Sequence, residues 1–351
     1  MTKKTILWWG RYNPEYSRNR IIRQQLNKLN YEILDFRPLI SRFGYIEALF
    51  KNIKRVDYVW VPCFRQRDIL SASKWCLKKN IKLIIDPLIS AWDKQAYEKE
   101  KLLNKEKLNK LKKKESILFN KADIIIADTN LHANLFQKEL CVDKNKIHTV
   151  YVGAEENLFN DIPIQNNANK KFEILFYGSF LPLHGSEVII KTAKLFVTNN
   201  NIKWTMLGDG PDLQKCKVLA KNCPNIFFEE KIEYTKLALR IKKADLLLGI
   251  FGKSNKAGNV IPNKVFQALS CGKTIITRKS MAYPKELLDQ NNGIIFIKPN
   301  DPKELYKAIL KITKDINFLK SSNDQAKIIY NNYFSEKTVL EQLKKILHFS
   351  P

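Results

Sequence analysis

Short runs of β-branched and aromatic residues alternate along the chain with longer segments whose apolar positions recur at helical spacing. This is the pattern of parallel sheets covered on both faces by helices. The first half predicts strands at 5–9, 31–36, 57–61, 82–85, 123–127 and 148–152, with helices between them. A second series predicts strands at 173–177, 204–207, 226–228, 245–250, 274–277 and 294–297. Most of these runs are apolar at their centre, as expected of strands buried on both faces.

Between the two series, residues 156–171 lack periodicity and are rich in Asn, the composition of an interdomain linker. The expected organisation is an N-terminal domain over 1–155, the linker 156–171, a second domain over 172–334 and a C-terminal helix over 335–351 that starts at Ser335. A chain of 351 residues is long enough for two such domains, each with its own core. The fold class is α/β, with two doubly wound domains facing a central cleft, and open sheets of this kind bind ligands outside the carboxyl ends of their strands.

Composition narrows the function. An apolar fraction of 44% is that of a globular protein. No apolar run approaches the ~18 residues of a membrane span, and the N-terminus leads directly into a strand, so the chain is expected to remain in the cytoplasm. The six cysteines form no C-x-x-C pair and have no histidine at ligand spacing, which leaves neither a zinc site nor a disulfide framework legible. The net charge is +26, of which +15 falls in residues 1–150 and +11 in the remainder. Such a charge draws a protein to phosphorylated substrates, anionic lipid or nucleic acid. No sequence pattern of a dedicated nucleic-acid module is present. Nine of the eleven arginines lie between Arg11 and Arg67, a hint of phosphate recognition.

Candidate chemistry gathers at strand-to-helix turns. Gly10 ends the first strand ahead of a helix that starts near Ser17 or Arg18, an arrangement that lets backbone and helix N–H groups meet an anion. In the second half Gly178, Gly208 and Gly210 make similar turns, but a dinucleotide fingerprint would need a third glycine where Leu213 stands, which disfavours a dehydrogenase. Further on, a buried strand opens into a small polar loop. Pro262 suits the first position of the helix that follows, so the N–H groups around Asn263 and Lys264 form an anion site.

Together the segments FYGSFLPLHG, MLGDGP, KADLLLGIFG, VIPNKVFQALSCGK and PKELLDQNNGIIFIKPNDPKELYKAI resemble, over roughly residues 148–335, the nucleotide-sugar domain of family 4 glycosyltransferases, whose fold is GT-B. The resemblance implies that Gln267 stands at the position of a ribose-binding glutamate. It places Asn259 at that of a glutamate facing the donor sugar, and Ser179 and His184 at those of an arginine and a lysine against the diphosphate. Glu286 matches a glutamate near the donor. Lys256 and Lys264 would supply the missing charge. Where the family carries a histidine after its fourth strand, this chain has Asp86 and Asp93, either of which could orient an acceptor hydroxyl or take its proton; Asp86 could equally serve only to finish the strand end.

The function implied is a retaining hexosyltransferase that moves a sugar from a nucleotide diphosphate donor to a cell-envelope glycan or lipid-linked acceptor. With no D-x-D pair in the sequence, no metal and no cofactor are expected, and backbone N–H groups and lysines would neutralise the leaving diphosphate. The lysine-rich segment 94–121, with Leu103, Leu108, Leu111 and Leu118 along it, would lie on an anionic membrane or merely cover the first sheet. The alternative reading is a catalytically silent scaffold that binds nucleotide sugars or polyanions.

Overall fold

The computed structural model describes residues 3–51, 53, 55–98, 104–161, 171–289 and 293–348. Two compact units emerge: 1–152 together with 336–351, and 153–335. Each holds one six-stranded, wholly parallel sheet.

In the first unit the strands are β1 (Lys4–Trp9), β2 (Tyr31–Phe36), β3 (Tyr58–Val61), β4 (Lys82–Ile85), β5 (Ile124–Ala127) and β6 (Ile147–Thr149), in the order β2-β1-β3-β4-β5-β6. Successive side chains point to opposite faces of the sheet and both faces are covered, which is why the centres of these runs are apolar. Leu7, Trp9, Val59, Val61 and Ile85 enter the core on one face. Ile6, Trp8, Trp60, Ile84 and Ile126 enter the core on the other, where the indoles of Trp8 and Trp60 stack with centroids 5.4 Å apart.

The sixth strand stops earlier than its apolar run. Val150 N still donates to Ala127 O at 2.8 Å, but the carbonyls of Val150 and Tyr151 accept from Arg18 Nη1 at 2.7 and 2.9 Å, which takes them out of the ladder. The C-terminal helix Glu336–His348 packs on this first unit. Val339, Leu343, Ile346 and Leu347 join Ile21, Ile22 and Leu26, and Glu336 accepts from Gln25 Nε2 and Lys28 Nζ at 3.0 and 2.7 Å. Ser335 directly precedes it, with its hydroxyl donating back to Asn331 O.

The lysine-rich segment is two helices, Ala91–Glu98 and Lys105–Phe119, and Leu103 lies outside the described residues. Lys110 pairs with Glu106, and Lys112 with Glu139, so two of its cations already have carboxylate partners. The arginine cluster is similarly engaged: Arg18, Arg20, Arg23 and Arg65 each pair with a carboxylate. Among the described residues no helix is long and apolar enough to cross a membrane.

The second unit contains β7 (Phe172–Gly178), β8 (Ile202–Gly208), β9 (Ile226–Glu229), β10 (Leu246–Leu248), β11 (Ile275–Arg278) and β12 (Ile294–Ile297), in the order β12-β11-β10-β7-β8-β9. Its core includes Ile174, Phe176, Trp204, Met206, Leu248 and Ile276. The strand order reverses between β7 and β10, and the ends of these two strands therefore flank the crevice in which doubly wound sheets bind ligands. Of the expected linker, residues 162–170 lie outside the described residues. Phe159 ahead of them is fully buried and packs on Tyr234, which makes the start of that segment part of the second unit.

Candidate functional site

At the reversal in the second sheet, β7 ends at Gly178 with φ +148°. A Cβ there would lie 3.1 Å from both Lys264 Nζ and His184 Cε1, so the bare glycine leaves room for two side chains to converge above the strand end. Lys264 arrives from the helix Asn263–Ser270. Pro262 is its extended N-cap and not its first helical residue, and makes no side-chain cap bond. The first-turn N–H groups thus open on the same crevice.

Lys264 is an unusual cation. It is buried, its ammonium lies 3.9 Å from the centroid of the Phe176 ring, and its polar neighbour is the carbonyl of Gly249, 3.5 Å away at the end of β10. Among the described residues no carboxylate faces it in an ion pair. Burial therefore pushes its pKa well below the ordinary lysine value. His184 beside it is also buried. Burial and the neighbouring Lys264 hold its imidazole down to about 2, neutral at any physiological pH. Among the described residues its Nδ1 has no hydrogen-bond partner. Buried polar groups are normally satisfied, and here a cation without a counter-anion and an orphaned ring nitrogen adjoin the same glycine. Such a pair fits an anion with acceptor oxygens.

The remaining glycines shape the floor. Gly208 (φ +130°) and Gly210 (φ +141°) run against the preceding turn so closely that a Cβ would stand 2.1 Å from Gly178 O and 1.6 Å from Ser179 O respectively. These contacts are with backbone and no rotamer change relieves them. Gly210→Ala is expected to cost at least ~2 kcal/mol of stability in denaturant titration. Gly178→Ala shares the backbone strain of a positive φ but meets side chains and no backbone, so it should cost less stability than Gly210→Ala while it occludes the anion position and loses ligand binding. Equal stability loss in both variants would contradict this division.

Several expected site residues prove to have other partners. Gln267 is buried: its Oε1 accepts from the Tyr177 hydroxyl at 3.0 Å, and its Nε2 lies 3.4 Å from the Tyr234 hydroxyl, which donates to Glu155 at 2.7 Å. Both ends of the amide that was expected to meet a ribose are engaged inside the unit, where they fix the Asn263 helix to β7. Ser179 is exposed and its carbonyl packs on Gly210. Lys256, buried, and Asn259, half-buried, lie on the short helix Asn255–Asn259. Glu286 is exposed on the 3₁₀ turn Lys285–Leu287.

In the first unit, Gly10 has φ +135°, and the space a Cβ would take is filled by Arg65 and Asp68, each 3.1 Å away. The turn expected to hold an anion is thus closed by an ion pair. Asp86 is buried in a bidentate pair with Arg18, at 2.9 and 3.2 Å. Burial pushes its pKa up although Arg18 pulls it down. The pair with Arg18 fits the strand-end reading of Asp86. Asp93 is likewise buried, in the first turn of the helix Ala91–Glu98, its N–H donating to Ser90 Oγ at 3.1 Å.

Sequence reasoning missed three contributors. Glu115 accepts from Ser90 Oγ and from the N–H groups of Ala91 and Trp92, capping the helix that carries Asp93. Tyr177 holds Gln267. Arg278, at the carboxyl end of β11, donates through Nη1 to Gly252 O and Ser254 O at 2.6 and 3.1 Å and so braces the loop leading to Asn259. An arginine closing an apolar strand was the one signal available for it. Among the described residues no group of three or more His, Cys, Asp or Glu side chains is placed to hold a metal ion.

Comparison with known proteins bears on the family and the fold. Residues 159–333 match the family described as glycosyl transferases group 1. An uncharacterised glycosyltransferase of Methanocaldococcus jannaschii is 25% identical over 357 residues, covering 90% of each chain. The chitobiosyldiphosphodolichol beta-mannosyltransferase of Candida albicans is 23% identical over 86% of this chain and 70% of its own. Among solved structures, Anabaena HepE in complex with UDP superposes with a TM-score of 0.75 at 12% identity, over 98% of this chain and 99% of that one; HepE has also been solved with UDP-glucose. Residues 159–333 are thus a domain of the group 1 glycosyltransferases, and the chain is a glycosyltransferase of the GT-B type.

Proposed function

We propose that this chain transfers a sugar, with retention of configuration, from a nucleotide diphosphate donor to a cell-envelope glycan or lipid-linked acceptor, at the inner face of the cell membrane and without a metal. The observation that carries the donor assignment is the convergence of Lys264 Nζ and His184 on Gly178 at the reversal of the second sheet. The diphosphate would take the Lys264 ammonium as its counter-charge and the first-turn N–H groups as donors. His184, in its Nδ1–H tautomer, would donate to a phosphate oxygen. In the reaction the bond from the anomeric carbon to the diphosphate oxygen breaks as the acceptor oxygen bonds to that carbon, and the acceptor's proton leaves with the diphosphate. The groups at Gly178 favour this step by stabilising charge on the leaving group.

The UDP and UDP-glucose complexes of Anabaena HepE support a uridine diphosphate sugar as the first donor to test, and the Candida relative's name supports a lipid-linked acceptor. Calorimetry with UDP, followed by a donor-hydrolysis assay with UDP-glucose in the presence and absence of EDTA, tests the reading. Binding and slow hydrolysis that persist in EDTA are expected. Binding without turnover under any condition would favour the silent scaffold, and hydrolysis abolished by EDTA would overturn metal independence.

A further inference from the structure

The turn and helix after β2 are built inside out. In Gly44–Phe50 the small residues Gly44 and Ala48 face inward. A Cβ on Gly44 would lie 3.1 Å from Pro38 and 3.2 Å from Ser71 Oγ, which is why no larger residue fits on that side. The large apolar residues face solvent: Leu39 is 72% exposed and Phe50 85%, and Ile40, Phe43 and Ile46 are exposed between them. Ile46 and Phe50 share a face of the helix at i, i+4, Phe43 ends the 3₁₀ turn Ser41–Phe43 ahead of it, and Leu39 and Ile40 precede that turn, so exposed apolar residues run the length of the segment as a stripe. A contiguous exposed patch of this kind marks an interaction surface in a soluble domain.

The stripe is held in place. Arg65 Nη2 donates to Ser41 Oγ at 2.9 Å, and Leu39 N donates to Glu47 at 2.7 Å. Beside it opens a cavity of about 660 Å³ whose lining includes Ile40, Leu70 and Leu118 together with Arg42, Arg67 and Lys114. The apolar surface therefore has a basic rim, the composition that suits acyl chains below and anionic headgroups around them.

Resting on the membrane placement proposed above, we infer that the segment 39–50 inserts its apolar stripe into an anionic bilayer, with Arg42, Arg67 and Lys114 on the headgroups. This moves the docking surface away from Lys110 and Lys112, which are paired with Glu106 and Glu139, and towards the end of that helix where Lys114 and Leu118 adjoin the stripe.

The test is co-sedimentation of the full chain with phosphatidylcholine vesicles with and without about 30% phosphatidylglycerol, beside UDP calorimetry. The wild-type protein should bind the anionic vesicles alone. Ile40→Ser/Phe43→Ser/Phe50→Ser and Arg42→Gln/Arg67→Gln/Lys114→Gln should each weaken that binding at least ~tenfold, with UDP affinity and thermal unfolding unchanged. Wild-type binding by the serine variant would overturn this surface while leaving the membrane placement intact. No binding of the wild-type chain to either vesicle would overturn both, with the donor assignment judged separately by UDP. Conversion of a dimer to a monomer by the serine variant, with vesicle binding unchanged, would give the stripe to a second copy of the chain.

Discussion

Lys264→Met is expected to weaken UDP binding ten- to a hundredfold and, in the same protein, to raise the stability of the ligand-free state. A charge-assisted hydrogen bond is worth about 1.5–3 kcal/mol, which sets the affinity loss. The stability gain has the opposite origin. The ammonium is buried against Phe176, with no carboxylate among the described residues paired to it, and a near-isosteric apolar chain removes that desolvation cost. The pH dependence has a definite sign. Burial sets the folded-state pKa below the ordinary value of 10.5, so between the two values the unfolded chain binds more protons than the native one, and stability rises with pH across that window. A bound diphosphate favours the ammonium, so binding takes up a proton wherever the amine is neutral, and affinity falls as pH climbs through the depressed pKa. Lys264→Met should lose both dependences. Unchanged UDP affinity in calorimetry would remove Lys264 from the site.

Asp86→Asn is expected to cost about 3–5 kcal/mol, because it leaves the fully buried Arg18 guanidinium without its counter-charge. Arg18 also holds the carbonyls of Val150 and Tyr151, so its displacement loosens the first unit at the end of β6. For a domain of this size the loss corresponds to a Tm lower by roughly 6–20 °C. Thermal unfolding of the variant decides between the two roles open to this residue in the sequence. A wild-type Tm combined with lost transfer would make Asp86 a catalytic group after all.

The strands were legible because both faces of each sheet are covered. Runs such as Ile-Leu-Trp-Trp and Tyr-Val-Trp-Val are short and rich in β-branched and aromatic residues, which favours buried strands over helices, and every predicted run became a strand, in whole or in part. The edges were less legible. The end of β6 depends on Arg18, 132 residues away, and the packing of Glu336–His348 on the first unit depends on Gln25 and Lys28. No local pattern carries such contacts.

The candidate site divides in the same way. Glycine turns at strand ends, and a proline before a helix that carries a lysine, are local signals, and they located Gly178, Gly208, Gly210 and Lys264. What Lys264 meets is not local: Phe176 and Gly249 come from separate strands. Gln267 was read from its place in a motif, but Tyr177, 90 residues earlier, and Tyr234 decide where its amide points. Asp86 left two readings open in the sequence, and the partner that favours the strand-end one, Arg18, lies 68 residues away.

A crystal structure of the protein with UDP tests the donor assignment most directly. The diphosphate should lie at the carboxyl ends of β7 and β10, with an oxygen about 2.8 Å from Lys264 Nζ and others within hydrogen-bond reach of His184 Nδ1 and the first-turn N–H groups of the Asn263 helix. A diphosphate bound elsewhere, with Lys264 and His184 still unpartnered, would contradict it.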